Sequence, residues 1–179
     1  GLRTETRDHA LILDAATRRN LELTRSLSAA SGAGQEKGAS DQHTLAGIMD
    51  RTATAMGARL LRRWINRPLR DRLAVAKRHE AIESLLRSGV FEALREELAA
   101  IGDLERILAR VALGSARPRD LAALREALSR LPALHADLGM TESTRLDQLE
   151  TELGEHPEAL DQLQRALVEQ PPMLIRDGG

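Results

Sequence analysis

Eight cations stand close together near the middle of the chain: Arg59, Arg62, Arg63, Arg67, Arg70, Arg72, Lys77 and Arg78. Such a run could form a phosphate-contacting ridge, whose contacts are independent of base sequence and weaken with salt. Arg62 and Arg63 are its candidate phosphate contacts. A solvated helix face with interdomain ion pairs is the simpler expectation, because acidic residues follow closely and no aromatic residues are interleaved to stack on bases. A second group, Asp14, Thr17, Asn20 and Glu22, could face a ligand. The same residue types bond their own backbone in turns, and that is the reading adopted. His9, His43, His79, His135 and His156 are scattered, with no pair at i+3 or i+4 to share a metal, so surface or capping roles are expected for them. There is no G-x-x-x-x-G-K-S/T phosphate loop and no G-x-S-x-G elbow. The carboxylates are accounted for by helix caps and i,i+4 pairs. The expectation is therefore no catalytic, cofactor-binding or metal-binding residue, no ATP hydrolysis, and no enzyme activity in these residues.

Composition indicates what must position these groups. In 179 residues, 30% are charged and only 1% aromatic, with leucine and alanine dominant. Strands draw on aromatic and β-branched residues, so the class is mainly α, an irregular multi-helix bundle. The length suffices for one domain with a sizeable core. No cysteine is present, which fits a reducing cytoplasm. No apolar run approaches the roughly 20 residues of a membrane-spanning helix, so a soluble protein without a membrane partner is expected. The formal charge of −1 offers no global attraction for nucleic acid.

The arginines lie on a helical elbow. Thr54 is a candidate N-cap, and Met56, Leu60 and Trp64, with Leu61 and Ile65 alongside, make an apolar stripe that should bury the only tryptophan. Pro68 ends this helix, and Asp71 caps a second over 71–88, with Val75, Ile82, Leu85 and Leu86 inward and Gly89 as its stop. Phe91, Leu94, Leu98 and Ile101 form the next stripe. Asp103 restarts the chain as an N-cap, with Arg106 a same-face cation, and Leu104, Ile107, Leu108 and Val111 follow as an inner face. Pro118 suits a helix first turn. Leu121, Leu124, Leu128 and Leu131 follow it, Pro132 breaks or kinks the path, and Leu134 and Leu138 continue it. Two last tracts carry Leu146, Leu149 and Leu153, then Leu160, Leu163 and Leu167, separated by Gly154 and Pro157.

The ends are less regular. Residues 9–14 and 20–24 suit a small hairpin of short strands, with a helix over 15–27 as the rival. Residues 29–43, rich in Gly, Ala and Ser without a large apolar residue, read as a mobile loop that divides no domain. After Pro171-Pro172, residues 173–175 read as a strand and Asp177-Gly178 as a hairpin turn whose return strand is missing. Together with Gly1 in place of a methionine, this reads as a piece of something longer.

Three blocks in this order and spacing, Leu13-Asp14-Ala15-Ala16-Thr17-Arg18-Arg19-Asn20-Leu21-Glu22-Leu23, the elbow over 44–73, and Asp103-Leu104-Glu105-Arg106, resemble the core domain of the MutS family of DNA mismatch repair proteins. The similarity runs through nearly the whole chain, 1–179, to the point where the family's clamp insertion would begin. The matching positions are Asp14, Thr17, Asn20, Leu21, Glu22, Thr52, Thr54, Gly57, Arg59, Leu61, Trp64, Pro68, Leu69, Arg78, Asp103, Leu104 and Arg106, all read as architecture. The resemblance implies a scaffolding and coupling role between a DNA-gripping clamp and mismatch-reading end and a dimeric ATPase. ATP and magnesium would be cofactors of the parent protein alone. Mismatched duplex DNA, a homodimer partner and MutL would be its partners, and the bacterial cytoplasm its location. The family's mismatch-reading Phe-x-Glu motif is absent, because Phe91 is followed by Glu92 and Ala93. The clamp and ATPase motifs are absent too, and the 29–43 segment is longer than the family's usual link. A freestanding helical DNA-binding or protein-interaction scaffold is the alternative.

Overall fold

The computed structural model describes residues 10–27 and 42–172, and the expectations for 1–9, 28–41 and 173–179, including most of the 29–43 loop and the 173–175 strand, lie outside them. Among the described residues the protein is mainly α: α1 (Ala15–Asn20), α2 (Leu45–Met49), α3 (Ala55–Asn66), α4 (Arg72–Ser88), α5 (Phe91–Ala99), α6 (Leu104–Ala112), α7 (Pro118–Ser129), α8 (Leu131–Leu138), α9 (Thr144–Leu153) and α10 (Pro157–Ala166). It forms two compact units, one from Gly1–Thr52 and Gly57–Ala76, the other from Ala53–Met56 and Lys77–Gly179.

In the first unit, the expected hairpin is replaced by a helix. The Asp14 side chain accepts a bond from the Thr17 N–H at 2.6 Å, which starts α1. Helix α1 stops at Asn20, well short of Leu27, because Glu22 takes a left-handed backbone (φ 46°) that neither helix nor strand continues. Residues 10–11 pair instead with the elbow: Ala10 bridges Leu69 in antiparallel fashion, and Leu11 donates its N–H to the Pro68 carbonyl at 2.8 Å. Leu23, Thr44 and Ala46 are the buried residues of this unit among those described.

Helix α3 also departs from expectation. Trp64 is 43% exposed and Leu60 is 42% exposed, while Leu61 and Ile65 are half-buried. At 100° per residue, Leu60–Trp64 and Leu61–Ile65 form separate columns, and the helix presses only the second inward. The tryptophan therefore shares the outer side with Arg63 and is not a core anchor.

The second unit holds the main core. Val90, Leu94, Ile101, Ala127, Leu131 and Leu134 are buried together, with Met56, Leu85, Leu104, Leu128, Leu138 and Leu153 packed around them. Helices α5, α7 and α9 pack on α8, α6 packs on α7, and α10 packs on α7. Each helix covers only a narrow strip. Ala81 and Ser84 are the buried residues of α4, while Ile82 and Leu86 are exposed; Phe91, Leu98, Leu108, Val111 and Leu149 are exposed as well, against the inward roles their spacing suggested. Only Arg130 separates α7 from α8, with Pro132 in the first turn of α8, where its missing N–H costs nothing. Asp120 ties two helices together: it accepts from the Arg117 N–H at 2.9 Å and from the Arg110 guanidinium at 2.6 Å.

Candidate functional site

The Glu22 turn shows why its residue types stand where they do. Its left-handed backbone directs two successive carbonyls at α2: Glu22 O accepts from the Leu45 N–H at 3.1 Å and Leu23 O from the Ala46 N–H at 2.9 Å. The Thr44 hydroxyl takes the Gly47 N–H at 3.1 Å. Three of the four unpaired donors at the start of α2 are satisfied in this way. The Glu22 carboxylate accepts from the Leu27 N–H at 2.5 Å and from the Ser26 hydroxyl at 3.0 Å, and these bonds hold it below the usual carboxylate range. Asp14 is lowered likewise, by its bond from Thr17.

The group Asp14, Thr17, Asn20 and Glu22 does not converge on a common point. Asp14 and Glu22 each bond their own neighbourhood, and Asn20 and Leu21 are exposed. Asp50, at the end of α2, accepts from the Thr52 hydroxyl at 2.6 Å and from its N–H at 3.2 Å, which lowers its pKa, with Arg62 and Arg51 adding to the effect. Thr54 directly precedes α3, and Gly57 and Leu61 are half-buried on it. Pro68 and Leu69 receive the 10–11 segment. Asp71 caps α4, accepting from the N–H groups of Leu73 at 2.9 Å and Ala74 at 3.2 Å.

Residues 57–76 hold six arginines against one aspartate, so the near-neutral total conceals a basic stretch. Arg62, Arg63, Arg70 and Arg72 are exposed and make no ion pair among the described residues. One aromatic ring, Trp64, stands among them. Arg78, half-buried, is pushed below the usual guanidinium range by burial and by Arg145.

In the second unit, Asp103 accepts from the Arg106 N–H at 3.4 Å, and its second oxygen lies 3.9 Å from the Arg106 guanidinium, so cap and same-face cation coincide. Leu104 packs at the edge of the core. Among the described residues, no group of three or more His, Cys, Asp or Glu could hold a metal ion.

Two contacts were not legible from spacing. Arg125 donates to the carbonyls of Leu167 and Val168 at 3.1 Å each and of Glu169 at 2.8 Å, closing the open end of α10. His135 meets the Gly154 carbonyl and Glu150. Both join residues far apart in sequence, and no local pattern announces them.

A family model, MutS domain III, matches residues 16–179 and so includes every helix from α2 onward and most of α1. The chain belongs to the MutS domain III family. MutS domain III is a core domain of a DNA mismatch repair protein, and it is non-catalytic. Within this MutS domain III the Glu22 turn and the Asp103 cap, and just ahead of the matched residues the Asp14 cap and the 10–11 segment bridged to Pro68 and Leu69, each fix a chain reversal or a helix start.

Proposed function

We propose that this MutS domain III couples the DNA-gripping clamp and mismatch-reading end of a mismatch repair protein to its ATPase, performing no chemistry itself. The observation that carries the reading is the Arg125 clamp. A coupling element must pass force between its helices, and a guanidinium on three consecutive carbonyls secures the 167–169 segment to α7 by charge-assisted bonds. The buried core of the second unit gives that anchorage a rigid base, since close-packed interiors pass displacement on rather than absorb it. On this reading the parent protein uses ATP and magnesium, acts as a homodimer on mismatched duplex DNA, engages MutL, and works in the bacterial cytoplasm. No helix among the described residues is long and apolar enough to cross a membrane.

The test is Arg125→Ala in the complete protein. Mismatch affinity and basal ATP hydrolysis should be retained while the response of hydrolysis to mismatched DNA falls. An unchanged response refutes the coupling reading. The second reading, a helical scaffold with its own phosphate contacts, draws on the exposed Arg62 and Arg63. Binding of matched and mismatched duplex by the 179-residue chain, equal in affinity and steep in salt, would favour it.

A further inference from the structure

His135 sits near the end of α8, with both ring nitrogens facing acceptors. Nε2 lies 3.0 Å from the Gly154 carbonyl, and Nδ1 lies 3.5 Å from the Glu150 carboxylate. A neutral imidazole has one donor and can satisfy one of these; only the doubly protonated ring can donate to both. The setting favours the cation in a further way. Gly154 follows the last residue of α9, where the helix dipole presents its negative end. The side chain of His135 is 20% exposed, so water competes only partly for these bonds.

The charged surroundings agree. Glu150 comes from α9 and Glu155 from the turn after it, and both act on the ring in the same direction. On the other helices packed on α8, Glu97 of α5 and Glu126 of α7 lie 3.4 and 2.6 Å from the Arg130 guanidinium, at the opposite end of α8, and Asp120 of α7 is taken by Arg110 and Arg117; Glu92 and Glu96 of α5 do not enter among the charges that act on the His135 ring. Asp137 is the remaining acid of α8 itself. His156 adjoins the turn, its ring 3.2 Å from where a Cβ on Gly154 would stand.

The turn held by this contact has an unusual backbone at one non-glycine position. Gly154 (φ 63°) and His156 (φ 51°) both have left-handed backbones, and for a histidine that conformation is uncommon. Loss of a hold on the ring would loosen the turn, whereas the far end of α10 stays tied by Arg125, whose charge does not change with pH.

We propose that His135 is a proton-controlled latch: its imidazolium, shared between the Gly154 carbonyl and the Glu150 carboxylate, pins the end of α9 to α8 at two points, and loss of the proton leaves the ring a single donor, so that one of the two holds is lost and the 154–156 turn is loosened. The bonds to Gly154 and Glu150, with the charge of Glu155, raise the His135 pKa above the ordinary histidine value against partial desolvation. The sign follows. The latch is fully closed below about pH 6.5, the unperturbed range, and opens as pH rises through the raised value.

The test is an NMR titration of the 179-residue chain from about pH 6 to about pH 9, following the His135 ring nitrogens and the backbone amides of Gly154 and Glu155. The ring and both amides should titrate together, above the midpoint of an unstructured histidine, with amide exchange at 154–156 accelerating over the same interval after correction for intrinsic rates. His135→Gln should abolish the amide titration, His156→Gln should leave it, and Glu150→Gln should move its midpoint to lower pH while keeping the fold. Should His135→Gln fail to fold, the Glu150→Gln shift decides. Amides that titrate with His156, or that ignore pH altogether, or a Glu150→Gln midpoint that stays in place, would overturn the proposal.

Discussion

Leu134→Ala probes the core on which the second unit depends. Leu134 is 4% exposed and packs in the cluster of Val90, Leu94, Ile101, Ala127 and Leu131. Truncation removes three carbons, about 2.4 kcal/mol of transfer free energy at ~0.8 kcal/mol per methylene. The cavity left behind adds to this, because α5, α7 and α9 all pack on α8 and cannot collapse together into one gap. The higher helix propensity of alanine returns only a few tenths of a kcal/mol. The expected cost is therefore about 3 to 4 kcal/mol. Urea unfolding followed by circular dichroism measures it, and the slope against denaturant should be unchanged if only the core is altered. In temperature, the midpoint should fall by about 10–20 °C for a unit of this size. A loss below about 1 kcal/mol with an unchanged slope would mean that the cluster around α8 is not the core of this unit.

Trp64→Ala should cost less than the ~3 to 5 kcal/mol typical of a core aromatic, about 1 to 2 kcal/mol, since the ring is 43% exposed; a cost at the full core value in the same urea experiment would contradict that exposure. Glu22→Gln should weaken the first unit at neutral pH and lose its effect in acid: the lowered carboxyl contributes stability above its unfolded value near 4.5, and the contribution disappears as pH falls through the folded value. Stability curves of the two proteins that stay parallel down to about pH 2 would contradict this. Replacing Arg62 and Arg63 by alanine should reduce the salt slope of any duplex binding by about one unit for each phosphate no longer neutralised, equally for matched and mismatched DNA. An unchanged slope assigns those arginines no phosphate.

Caps and breaks were legible in the sequence because they act over three or four residues. Asp71 and Asp103 bond the N–H groups that their positions imply, Pro118 opens a helix where a missing donor is harmless, and Gly154 and Pro157 lie where the last two helices are divided, whereas the cap at Asp14 was read as part of a hairpin. The family was legible as well, from blocks of residue types in fixed order, and the match over 16–179 agrees. Periodicity identified helices correctly but did not say how much of each stripe is covered. Leu60, Trp64, Ile82 and Leu86 satisfy an apolar spacing and still face outward, because coverage depends on how many neighbours reach a helix, and that is a tertiary quantity. The same limit applied at the N-terminal side. Residues 10–11 and 20–24 are equally suited to pairing by local pattern, and it was the arrival of Pro68 and Leu69, together with the left-handed Glu22, that decided between strand and turn. Arg125 on the 167–169 carbonyls and His135 between Gly154 and Glu150 lie wholly on the tertiary side: each links residues 15 to 44 positions apart, and only packing brings such charges to their acceptors.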